Sequence, residues 1–85
     1  MKTLAKALIQ TAAFLELSGD DAVNPDDAVR ALEHIAHTLQ SASPDELTAV
    51  RDALQELAAE ERAGFARPDV LRFYEQFFES IGVTE

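Results

Sequence analysis

Four stretches of the chain repeat their apolar residues at the three- and four-residue intervals of an α-helix. They run from about Lys2 to Leu17, Pro25 to Gln40, Pro44 to Ala63 and Pro68 to Ile81. The last three each open on proline-aspartate. Proline loses no hydrogen bond at the first helical position, and an acid behind it meets the positive end of the helix dipole. Asn24 and Ser43 stand at the N-cap, each with an acid three residues on, Asp27 and Glu46, in the capping-box arrangement. Gly64 and Gly82 are natural stops.

The second helix carries one stripe, Val29, Leu32, Ile35, Ala36 and Leu39; the third carries Leu47, Val50, Leu54, Leu57 and Ala58. Each stripe predicts one buried face, and the short link Ser41 to Ser43 predicts that the two helices form an antiparallel pair. The fourth has a wide apolar arc of Val70, Leu71, Phe73, Tyr74, Phe77, Phe78 and Ile81. The first has two stripes: Leu4, Leu8, Thr11, Ala12 and Leu15 on one side, and Ile9, Ala13 and Leu17 on the other. A helix apolar on two sides either sits between neighbours or meets another molecule. The expectation is an all-α fold, a small four-helix, mostly antiparallel bundle formed by residues 1–85 as one domain. The segments from Pro25 and Pro44 resemble each other only as capped amphipathic helices do, and two copies are too few for a solenoid.

At 47% hydrophobic residues the chain is far too apolar for a disordered acidic tail. It has no cysteine, and so no disulfide, thiolate nucleophile or Cys-ligated metal. No apolar run approaches the roughly 20 residues of a membrane span. Gln10, Thr11 and Glu16 interrupt the one stretch that a signal peptide would need, which predicts a cytoplasmic protein. The net charge is −9, and it is uneven: from Glu16 to Glu61 twelve acids face only Arg30 and Arg51. Nucleic acid and anionic membrane require a basic surface, so neither is an expected partner. A basic protein is.

The chemistry-bearing patterns are sparse. His34 and His37 have the spacing of helical metal ligands, but Arg30 precedes them by one turn and no further ligands accompany them, so no metal site is expected. The acids from Asp20 to Asp27 fail the calcium-loop pattern, since Ala22 and Pro25 stand where a ligand and a glycine are needed. An acidic helical domain of this length is similar in size and charge to the acyl carrier proteins, yet none of Ser18, Ser41, Ser43 and Ser80 follows an aspartate or precedes a leucine. No glycine elbow presents a nucleophile, no helix is basic enough for a DNA groove, and no cofactor or enzymatic activity is expected.

One face stands out. Asp45, Asp52, Glu56 and Glu60 lie on the third helix opposite its leucines, and the last three are like charges at i, i+4 spacing. With Asp20, Asp21, Asp26 and Asp27 they predict a docking strip for a basic groove, in a protein similar in size and charge to small bacterial immunity proteins, antitoxins and phage-encoded inhibitors. Reversing part of the strip to lysine is expected to weaken docking while firming the helix. The alternative is a structural self-association module, a homodimer formed through Ile9, Ala13 and Leu17 of the first helix and Phe73 and Phe78 of the fourth.

Overall fold

The computed structural model describes residues 1–82, which are all-helical and contain no strand. There are five helices: α1 (Lys2–Leu17), α2 (Pro25–Leu39), α3 (Pro44–Ala63), α4 (Pro68–Glu75) and α5 (Phe77–Ser80). Local chemistry sets the starts. The Asn24 side chain accepts from the backbone N–H groups of Asp26 and Asp27. At α3 the capping box is complete: Ser43 Oγ accepts from Glu46 N, and Glu46 Oε1 accepts from Ser43 N. At α2 it is not, because the Asp27 carboxylate turns to Arg30 instead.

The packing is organised around α1. Its buried residues Ala5, Ile9 and Ala12 form one stripe and join Val50, Ala53, Leu54 and Leu57 of α3 in the core. Helix α2 lies against α1, α4 lies mainly against α3 and also touches α1, and α2 and α3 make no close approach along their lengths. The expected α2–α3 pair is thus replaced by α1 standing between the two, as a helix apolar on two sides allows. Leu39 at the end of α2 lies beside Leu4 and Leu8, Leu32 at its middle shares a hollow with Leu15, and Val70 and Tyr74 of α4 share one with Phe14 and Gln10.

The rotation of α1 differs from expectation. The buried face is Ala5, Ile9 and Ala12, which takes Ile9 from one expected stripe and Ala12 from the other, whereas Leu4 is 76% exposed and Thr11 and Leu17 are also exposed. On α2 the fully buried residue is Ala28, and Val29 is 54% exposed. Leu32, Ile35 and Leu39 are only half-buried, because α2 covers α1 from outside and meets no second helix on its other flank.

The fourth expected helix is two. Gln76 (φ −104°, ψ 8°) leaves helical geometry and separates α4 from α5. The apolar arc from Val70 to Ile81 is too wide for one straight helix to bury. The turn at Gln76 carries Phe77 into the core, edge-on to Phe73 with ring centroids 5.7 Å apart. Gln40 at the end of α2 then donates through Nε2 to the Ile81 carbonyl at 2.9 Å, tying this corner shut. Gly64 caps α3 without a positive φ; the left-handed residue of the α3–α4 turn is Ala66, at φ 51°.

The cap at α3 supplies a direct test of the element boundaries. Ser43→Ala removes one half of the capping box without touching the core, and should lower unfolding free energy by about 1 kcal/mol. A urea midpoint equal to wild type would mean that the Ser43 cap does not contribute.

Candidate protein-binding surfaces

The acids expected to form one strip are divided. Glu56 is ion-paired to two lysines of α1: Lys6 donates to Glu56 Oε1, and Lys2 Nζ lies 2.9 Å from Glu56 Oε2. Lys6 also reaches Glu60 Oε2 at 3.3 Å. Two lysines one turn apart on α1 match two glutamates one turn apart on α3, in keeping with the helix placement that the core sets. The hydrogen bonds from Lys6, then Lys2, hold the Glu56 carboxyl at about 2, well below the usual range. The Lys6 ammonium is raised in turn, mainly by Glu56. Reversal of Glu56 to lysine would therefore set three cations together, and the like-charge relief expected from the sequence disappears.

Asp45 and Asp52 remain exposed on α3, with no ion pair among the described residues. Asp20, Asp21, Asp26 and Asp27 are exposed at the α1–α2 connection and the start of α2, and of these only Asp27 has a cation close by, Arg30 at 3.3 Å. Asp45 follows the far end of α2, a helix of 15 residues or about 22 Å. The sequence-predicted acids thus do not form one strip: Asp45 and Asp52 lie along the first half of α3, and the other exposed aspartates lie at the α1–α2 connection and the start of α2.

The self-association residues are also redistributed. Ile9 is completely enclosed by the chain's own core, so it has no surface to offer a second copy. Ala13 is half-buried and Leu17 exposed on the flank of α1 that faces α4. Phe73 and Phe78 are half-buried and pack on the core. His34 and His37 are exposed on α2, and among the described residues no group of three His, Cys, Asp or Glu could hold a metal ion. No described helix is long and apolar enough to cross a membrane.

Sequence reasoning missed the turn that follows α3. Glu61 is buried at the end of α3, and Arg67 closes on it three times. Arg67 N and Nε both donate to Glu61 Oε2 at 2.9 Å, and Nη2 donates to Oε1 at 2.9 Å. The Glu61 carbonyl accepts from Ala66 N at 2.6 Å, and Ala66 takes the left-handed conformation that a side chain disfavours. The turn so fixed displays Phe65, which is 86% exposed, with the Arg67 guanidinium 5.7 Å from its ring centroid. Arg67 also lines a hollow of about 490 Å³ with Phe14, Leu17, Ser18 and Asp69. Ser18 borders a second hollow of about 250 Å³, beside Asp20, Val23, Pro25 and Val29. The turn that carries Phe65 is thus linked, through Arg67 and then Ser18, to the smaller apolar residues and Asp20 of the α1–α2 connection. A lone phenylalanine between a helix stop and a proline start was visible in the sequence; the ion pair that fixes its backbone was not.

No family model matches the chain, and neither a curated protein nor a solved structure matches it.

The Glu61 carboxyl is held at about 2 by the side-chain and backbone hydrogen bonds of Arg67, against an ordinary 4.5. A carboxyl depressed by folding stabilises the fold above its ordinary value, and that contribution fades as pH falls from about 4.5 towards 2. In Glu61→Gln this contribution should be absent, so the variant is less stable at neutral pH and loses less on acidification. Urea midpoints from neutral pH down to about pH 2 measure both effects. Parallel curves for variant and wild type would contradict the assignment.

Proposed function

We propose that this chain is a non-enzymatic protein-binding domain that meets a basic partner with the end of the fold carrying Phe65 and the aspartates of the α1–α2 connection. In this reading the four longer helices serve as one mostly antiparallel bundle that holds the contact end rigid. The observation that carries it is the display of Phe65: a large aromatic, 86% exposed, on a turn fixed by a buried carboxylate. Rigid aromatic anchors concentrate binding energy because little entropy is lost when they dock. Arg67 of the same turn shares a hollow with Ser18, which leads into the connection where Asp20, Asp21 and Asp26 are exposed with no ion pair among the described residues; in this reading these acids supply the sign of the surface. A field of that sign steers a basic protein and repels nucleic acid. Immunity proteins, antitoxins and inhibitors are the kinds of protein that this reading implies, on size and charge alone.

Affinity purification from the source cells identifies the partner, and binding kinetics with that partner then test the site. Asp20→Lys with Asp26→Lys should slow association about tenfold and flatten its salt dependence. Phe65→Ala should leave association near wild type, speed dissociation and cost about 2 kcal/mol of affinity. Asp45→Lys with Asp52→Lys, at the other acidic group, should change neither rate by more than a small factor. An unchanged association rate in the Asp20/Asp26 variant, or full affinity in Phe65→Ala, would remove this end of the fold from the reading.

A further inference from the structure

We infer that the outward face of α1 is a contact for a second copy of this chain, with the two α1 helices packed antiparallel about a two-fold axis beside Ile9. The face consists of Leu4, Ala7, Thr11 and Phe14, all exposed, Leu4 at 76% and Phe14 at 57%. At 100° per residue these four lie within an arc of about 80°, at the alternating three- and four-residue spacing of a coiled-coil seam. Thr3 and Gln10 beside them are exposed and uncharged. Lys2 and Lys6 are turned to α3, and Glu16 lies on the far side of the helix. In a chain of net charge −9 this is a full-length helical face without charge.

The order of residues says what fits it. From one end to the other the face reads large, small, small, large. A two-fold contact must be self-complementary, and this order is unchanged when the helix is reversed. Antiparallel packing sets Leu4 against Phe14 of the second copy and Ala7 against Thr11, with the small central pairs letting the backbones approach. A hollow of about 180 Å³ opens beside Leu4, lined by Leu8, Leu39, Glu46 and Val50, on the flank of this face.

Charge selects the same direction. Asp20, Asp21, Asp26 and Asp27 crowd the end of the fold where α1 finishes. A parallel pair would bring the two acidic ends together, whereas an antiparallel pair separates them by roughly the 24 Å length of α1, beyond a Debye length of about 8 Å at physiological salt. A seam of two heptads falls below about 1,200 Å² of total buried surface, so the dimer is a weak and reversible one.

Sedimentation equilibrium of the full chain, from micromolar to millimolar concentration, should show the mass rising from 9.3 kDa towards twice that value. Phe14→Glu and Leu4→Glu should each stay monomeric throughout with wild-type circular dichroism, since both positions are exposed. If either variant unfolds, the other decides. Because the chain lacks cysteine, oxidative cross-linking reads out the direction. Leu4→Cys mixed with Phe14→Cys should form a mixed disulfide dimer, while Leu4→Cys alone should not, its two thiols lying about 15 Å apart along the axis. A wild type monomeric at every concentration, a dimer that survives both glutamates, or equal cross-linking by Leu4→Cys alone would overturn the proposal.

Discussion

Every element of this fold depends on the burial of one narrow stripe of α1. Ala5, Ile9 and Ala12 face Ala53 and its neighbours on α3, and the small residues on both helices allow close approach. Removing a fully buried isoleucine from water is worth roughly 1.5–3 kcal/mol, a large share of the stability of so small a domain. Once α1 is seated on α3, α2 is laid on α1 alone, and α4 is laid mainly on α3 with a smaller contact to α1. α2 needs only a half-buried face for this. The turn at Gln76 then delivers Phe77 to the same core from the other direction. An N-terminal helix, ordinarily the first to fray, is here the one that the others share.

That seating also sorts the charges. A chain with sixteen acids and seven Lys or Arg has few cations to distribute. Lys2 and Lys6 go to Glu56 and Glu60 because the α1–α3 contact brings them there, and Arg67 goes to Glu61 because the chain turns back at the end of α3. The lysine pairs follow from helix placement, and the Arg67–Glu61 pair holds the turn after α3. The aspartates left over gather mainly where α1 ends and α2 begins, so the exposed negative field is a consequence of where the lysines were needed.

Much of the fold was legible in the sequence because its signals are local. Pro25, Pro44 and Pro68 each open a helix, Asn24 and Ser43 cap as their side chains require, and the ends at Leu17, Leu39 and Ala63 follow from periodicity. Rotation about a helix axis is not local. Both stripes of α1 are apolar, and only the identity of its neighbours decides that Ile9 turns inward and Leu4 outward. The break at Gln76 has the same origin, since no residue there forbids helix and the demand comes from the core. The candidate surface was half legible: aspartates can be counted in a sequence, but the pairing of Glu56 with Lys2 and Lys6 across 50 or more residues cannot, nor can the lock of Arg67 on Glu61 in the turn that carries Phe65.

A central α1 gives the two surfaces a common logic. Its inner stripe builds the core, its outer stripe offers an uncharged seam, and its end leads into the acidic connection, so a two-fold pair would carry one acidic, aromatic-tipped end at each extremity and could engage a repetitive partner twice. The claim beneath this is that α1 unfolds only with the whole molecule. Native-state amide hydrogen exchange measures it directly. The account predicts that the amides of Ile9 and Ala12 exchange among the slowest in the chain, at the free energy of global unfolding, with those of α2 opening earlier. Fast, fraying exchange throughout α1, beside protected amides in α2, would contradict it.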